Sequence, residues 1–162
     1  MIVAIGGLWL IRSEYVDLAR LSWWYDSTNV LQAAPANPDY DLTTLPWQPV
    51  HPRVFEIRDG TLTLATSDEP YGYQAYAAIR ANGANTAGIT FDADVARGGV
   101  TIGIQQAGEW IAMNSAEHPG PFSGMNSALL GFRRSLMVTI ANRNAAGASQ
   151  ITIKSLRLYL RR

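Results

Sequence analysis

From Arg53 to the C-terminus the apolar residues recur at every second position, and this period of two constrains the fold more than any other feature of the chain. In a strand, successive side chains point to opposite faces, so such alternation describes sheets with one buried face. The segment VFEIRDGTLTLAT places Asp59-Gly60 between two alternating runs, the pattern of a β-hairpin closed by a type I′ turn. Further strands are expected at 71–80, 87–96, 99–106, 109–114, 135–143 and 149–160, with turn residues between them. Ile89, Phe91, Ala93 and Val95 share one face, as do Val100, Ile102 and Ile104, while Asp92 and Asp94 point the other way. In the last strand Ile151 and Ile153 are in phase but Leu156, Leu158 and Leu160 are shifted by one, which predicts a bulge near Lys154-Ser155. No helical run long enough for a parallel crossover occurs in 53–162, so the sheets are expected to be antiparallel.

The chain has 162 residues, of which 48% are hydrophobic and 16% charged, enough for one core plus an extension. Thirteen basic and thirteen acidic residues cancel. Without a positive field there is little to release counterions from a phosphate backbone, so nucleic acid is excluded as the expected partner. Cysteine is absent, which removes disulfides, thiolate nucleophiles and cysteine-based zinc sites. A single lysine, Lys154, among thirteen basic residues suggests a bacterial source.

The N-terminal 27 residues read differently. Residues 2–11 are apolar without a break, but ten helical residues reach about 15 Å, half of a hydrocarbon core. A basic leader and a small-residue cleavage site are missing, so a signal peptide is a poor match. Leu8, Ile11, Tyr15 and Leu18 form one stripe, with Arg12, Ser13, Asp17 and Arg20 opposite, which predicts an amphipathic helix. Trp9 at one end and Trp23, Trp24 and Tyr25 at the other suit the level of lipid headgroups. Two readings remain open: a surface-lying anchor that docks on a membrane or membrane complex, or a helix packed on the sandwich or a soluble partner. Residues 28–52 follow as a proline-rich connector, and 53–162 as the sandwich.

Several phrases resemble those of carbohydrate-binding-module-like, or galactose-binding-like, jelly rolls. They are Trp47 after a proline-rich stretch, the hairpin DGTLTL, the run GITFDADVARGGVTIGI followed by Trp110, then MVTIANRN, and a closing ITIKSLRL. The likeness spans about residues 29–160. It implies an all-β, antiparallel jelly-roll β-sandwich, preceded here by the N-terminal amphipathic, membrane-interacting helix. A sugar-binding member would present aromatic platforms with amide or carboxylate partners, and the candidates are Trp47, Tyr71, Tyr73, Gln74, Tyr76 and Trp110. Strict alternation places Tyr71 and Tyr73 with Ala75, Ala77 and Ile79 on the core face, and Gln74 with Tyr76 on the other.

Catalytic machinery is not expected. His51 and His118 each lie in proline-containing stretches without a nucleophile motif nearby, and no phosphate-loop, metalloprotease or nucleophile-elbow pattern occurs. Asp92 and Asp94 stand about 7 Å apart on one strand face, a spacing that a glycosidase pair could use and a solvated polar face also shows. No metal site or cofactor is expected. The stretch 114–126 reads as a long irregular loop whose Phe122 and Met125 either fold back on the core or meet a partner.

Two functions are therefore carried forward. One is a non-catalytic accessory subunit of a bacterial membrane complex, bioenergetic or photosynthetic, docked by its N-terminal helix on the periplasmic face. The other is a carbohydrate-binding module at the cell envelope.

Overall fold

The computed structural model describes residues 38–131 and 135–162. Eleven strands account for their regular structure: β1 Tyr40–Asp41, β2 Trp47–Pro49, β3 Val54–Arg58, β4 Thr61–Ala65, β5 Tyr73–Arg80, β6 Thr86–Arg97, β7 Val100–Gln106, β8 Glu109–Ala116, β9 Gly120–Leu129, β10 Ser135–Asn142 and β11 Gln150–Arg161. They form two sheets. Sheet one runs β3-β4-β11-β6-β9, with β1 also paired to β11, and sheet two runs β2-β5-β10-β7-β8. Every pairing is antiparallel. The chain passes repeatedly from one sheet to the other, as in a jelly roll, and no helix occurs among the described residues.

The local predictions explain why these segments pair. Asp59 and Gly60 both have positive φ, 49° and 75°, as a type I′ turn requires, and Arg58 pairs with Thr61 across it. The inward faces meet in one core: Leu62, Leu64, Ile89, Phe91, Ile151 and Leu158 from sheet one against Ala77, Ile102, Ile104, Leu136, Val138 and Ile140 from sheet two. The expected bulge is present. Ile153 pairs with Ala93 and Ser155 with Asp92, leaving Lys154 without an opposite residue. That extra residue restores Leu156 and Leu158 to the core. The Lys154 ammonium swings out to pair with Asp94, whose carboxylate raises the lysine pKa above its ordinary value.

Two segments depart from the alternation rule. The expected loop at 114–126 is mostly strand: β8 continues to Ala116, and β9 begins at Gly120 after a three-residue crossover. Its inward positions are Phe122, Gly124, Asn126 and Ala128, so small and polar residues hide the hydrophobic pattern. Gly124 is small because a Cβ there would lie 2.2 Å from Asn114 Nδ2 and 2.7 Å from the Phe91 ring. Pro121 is tolerated because β9 is an edge strand. Strand structure also begins before Arg53, since β1 and β2 lie within the stretch expected to be a connector.

Between β1 and β2 the chain makes a tight turn that presses Leu42 and Leu45 into the core. Asp41 holds it: Oδ1 accepts the Thr43 amide at 2.9 Å, the Thr44 amide at 2.9 Å and the Thr43 hydroxyl at 2.7 Å. The Thr43 hydroxyl above all, and then the Thr44 amide, favours the carboxylate and depresses the Asp41 pKa. A depressed folded-state pKa stabilises the fold above the ordinary carboxylate range, and that contribution disappears as pH falls through the folded value. Asp41→Ala is therefore expected to cost about 1 kcal/mol at neutral pH, the scale of a lost turn hydrogen bond. The difference from wild type should vanish in strong acid when both are followed by thermal unfolding.

Candidate functional site

The site is built by a bulge in β5. Ile140 pairs with Ala75 and Ala141 with Tyr73, so Gln74 is an extra residue in β5. The bulge changes the phase of the strand, which keeps Ala75, Ala77 and Ile79 inside while turning Tyr73 outward to 44% exposure. The core-face placement expected for Tyr73 and Tyr71 is thereby corrected. Tyr71 lies before the strand at a φ of 60° and is 57% exposed, with the Arg143 guanidinium 5.3 Å from its ring centre. Arg143 in turn contacts Glu117 at 3.3 Å.

Gln74 itself is not on the surface. It is fully buried, its Oε1 accepting the Ser67 amide at 2.7 Å and its Nε2 donating to Ser67 Oγ and to the Gly72 carbonyl, each at 3.0 Å. Beside it, buried Asn142 donates from Nδ2 to the carbonyls of Glu69 and Gly147 at 3.0 Å. Its Oδ1 accepts the Ser149 hydroxyl at 2.8 Å and the Asn144 amide at 3.1 Å. Ser149 Oγ accepts the Gly99 amide at 2.9 Å, and the Ser149 amide donates to Thr66 Oγ1 at 2.7 Å. This network ties the segment ahead of β5 to the loop between β10 and β11.

Cross-strand registers define the outer face of sheet two. One row runs Gln48, Tyr76, Thr139, Gly103 and Met113. On one side of it lies the row Tyr73, Ala141, Thr101 and Ser115, and on the other the row Ala78, Met137, Gln105 and Trp110. Tyr73 and Trp110 start from opposite corners of this grid, yet their ring centres are 6.1 Å apart in an edge-to-face contact. With β10 and β7 between β5 and β8, the rings meet above the two central strands. Thr139 and Gln105, on those strands, are each only 1% exposed. Both are short of partners: Gln105 Nε2 and Thr139 Oγ1 are buried without a hydrogen bond. Gly103 keeps the floor low, because a Cβ there would lie 2.2 Å from the Ala112 carbonyl oxygen. Tyr76 borders the floor and donates its hydroxyl to Gln48 Oε1 at 2.6 Å.

The structure thus brings Tyr73, Tyr76 and Trp110 onto one face, with Tyr71 at its rim, and separates the other candidates from them. Trp47 turns inward from β2, donating Nε1–H to the Leu42 carbonyl at 2.9 Å and packing against Phe55 at 6.2 Å. Phe122 packs on Phe91 at 4.8 Å, against the core, whereas Met125 opposite Thr90 is exposed on the outer face of sheet one. Asp92 and Asp94 also belong to that far face, where Asp94 is paired with Lys154. His51 and His118 are exposed in loops. Among the described residues no three metal-ligating side chains gather. The expected docking residues Leu8, Trp9, Ile11, Tyr15, Leu18, Trp23, Trp24 and Tyr25 lie outside the described residues. Sequence reasoning missed Gln105, Thr139 and Met113; the one available signal was a polar Thr139 inside the apolar run LMVTIA.

No protein-family model and no curated protein matches the sequence. Solved structures do match the fold. A family 4 carbohydrate-binding module is 11% identical, with a TM-score of 0.50, over 80% of this chain and 91% of that one. A family 61 module in complex with β-1,4-galactotriose is 10% identical over 71% of this chain and 88% of that one, with a TM-score of 0.47. An arabinose-bound α-L-arabinofuranosidase is 14% identical over 77% of this chain, with a TM-score of 0.48, and the chain spans about a quarter of its length, 25%. The fold is therefore a carbohydrate-binding-module-like antiparallel β-sandwich.

The Asn142 network yields a direct prediction. Asn142→Ala removes the partner of several buried groups at once, and stability should fall by about 3 kcal/mol in chemical denaturation. Limited proteolysis should then cut between Thr66 and Gly72 first.

Proposed function

We propose that this chain is a carbohydrate-binding β-sandwich that takes a neutral glycan on the outer face of sheet two. The observation that carries the reading is the Tyr73–Trp110 contact above a polar floor, with Tyr76 alongside. Sugar rings combine apolar C–H faces with a dense rim of hydroxyl groups, and they are held by aromatic surfaces combined with a few fixed hydrogen-bonding groups. Aromatic rings bring large contact area at small entropic cost, which suits recognition of an extended and weakly hydrophobic polymer. The role is one of binding. The carboxylates Asp92 and Asp94 stand on the opposite sheet, away from this face. The fold shared with a family 4 carbohydrate-binding module supports the same reading.

The test is binding of the full chain to an array of neutral polysaccharides and oligosaccharides, followed by affinity electrophoresis on the best of them. Trp110→Ala and Tyr73→Ala should each weaken binding at least about tenfold, the usual scale for truncating an aromatic anchor. Met125→Ala, on the far face, should leave it unchanged. Absence of binding to every neutral glycan, or binding indifferent to Trp110→Ala, would overturn the proposal.

A further inference from the structure

Gln105 and Thr139 are hard to explain as structural residues. Buried polar groups in folded proteins are almost always hydrogen-bonded, because an unsatisfied donor loses its water contacts and regains nothing. Here two orphans occur close together in the same sheet face: Thr139 pairs with Gly103, and Gln105 lies two residues further along β7, paired with Met137. Both lie on the central strands that the Tyr73 and Trp110 rings span. The neighbouring polar side chains on this face are satisfied, Thr101 with Ser115 at 2.8 Å and Tyr76 with Gln48 at 2.6 Å. On this face the shortage is thus confined to the floor; the other orphaned atom among the described residues, Asn126 Nδ2, lies on β9 of sheet one.

We infer that Gln105 and Thr139 are specificity-determining residues for a single glycan chain, which is admitted when the Tyr73–Trp110 contact opens. This inference rests on the carbohydrate reading above. Gln105 Nε2 donates and needs an acceptor, a sugar hydroxyl or ring oxygen, while the Thr139 hydroxyl can give or take a hydrogen bond. Both atoms are buried, so a ligand reaches them only by entering between the rings. Once parted, Tyr73 and Trp110 become the two walls of a groove. A groove accepts one soluble chain edge-on; a flat crystalline surface cannot enter it. Among the described residues no ionised side chain occupies the floor, so the chain that fits is uncharged.

The inference separates stability from binding, which a purely structural role would couple. Gln105→Leu replaces an orphaned amide with an apolar side chain of similar size, and such replacements are neutral or stabilising. The full-length chain is titrated calorimetrically with cellohexaose, xylohexaose and β-1,4-galactohexaose, with microcrystalline cellulose as the surface control. Wild type should bind at least one hexasaccharide in preference to the crystalline surface, with a change in tryptophan fluorescence as Trp110 leaves Tyr73. Gln105→Leu should weaken that binding about tenfold, and Thr139→Val by several-fold, the scale of a lost buried hydrogen bond, while the melting temperature holds or rises. If hexasaccharide binding depends on Trp110 but not on Gln105 or Thr139, the floor has no such role and the carbohydrate reading stands. A fall in melting temperature with unchanged affinity in Gln105→Leu would likewise overturn the inference and make Gln105 structural. If none of the hexasaccharides binds, the inference fails, and the array result separately decides the wider reading.

Discussion

Asn142 is the point on which the sandwich and its candidate site both depend. It closes β10 in sheet two, and its hydrogen-bond partners lie on the segment leading into β5 and on the loop leading into β11 of sheet one. A buried amide of this kind has little freedom, since each unmet group would cost about 1–3 kcal/mol. Its satisfaction sets where the two loops run. With the Glu69 and Gly72 carbonyls placed by Asn142 and Gln74, the chain enters β5 with Gln74 already turned aside. The bulge follows from that entry, and the outward Tyr73 follows from the bulge. An exposed aromatic on this face is thus the distant consequence of a polar network at one end of the sandwich. Gly98 belongs to the same constraint: its φ is +72°, and a Cβ would come within 2.3 Å of Ser149 Oγ.

Each sheet contains two phase-shifting residues, Gln74 and Ile111 in sheet two and Ala96 and Lys154 in sheet one, and of these Gln74 and Lys154 are resolved differently. Lys154 is long and charged, so it leaves the sheet for solvent and meets Asp94. Gln74 is neutral and can exchange hydrogen bonds with backbone, so it is taken inside. The physical choice between them is desolvation: an ammonium could not be buried at this position without a paired charge, whereas an amide with both ends satisfied can.

Most of the architecture was legible from the period-two pattern because one face of each long strand carries the apolar core residues, even in β7, whose other face is also buried. The hairpin at Asp59-Gly60 and the bulge at Lys154 are local events with local signatures, and both could be placed from a handful of residues. The bulge at Gln74 could not. YGYQAYAAIR alternates well enough on its own to suggest that Tyr73 is inside, and only the register with β10 shows that it is outside. Strand β9 was hidden for a related reason: its inward positions include Asn126 and also Gly124, which is small because Asn114 and Phe91 already fill the space beside it. The candidate site was legible as residue types, Tyr73, Tyr76 and Trp110, but not as a surface. Its floor is made by partners far apart in the chain, Thr139 with Gly103 and Met137 with Gln105. No spacing in a single segment encodes such a grid.

The distribution of charge supports a neutral ligand for independent reasons. The ion pairs Arg58–Glu56 and Lys154–Asp94 belong to sheet one, and Arg161–Asp39 joins the end of β11 to the start of β1. Exposed pairs of this kind contribute little to stability, typically under about 1 kcal/mol each. Their effect is better seen in what they leave elsewhere. Among the described residues, the charged side chains on the outer face of sheet two are confined to the ends: Arg143, stacked on Tyr71 and paired with Glu117, at one, and Arg80 at the other. Between them the rows hold aromatics, small residues, methionines and uncharged hydrogen-bonding groups. An anionic polymer would find its attraction only at the rim, where Glu117 already meets Arg143, and would have to surrender its own hydration to reach the floor. A neutral chain surrenders far less, and gains aromatic contact along the same path.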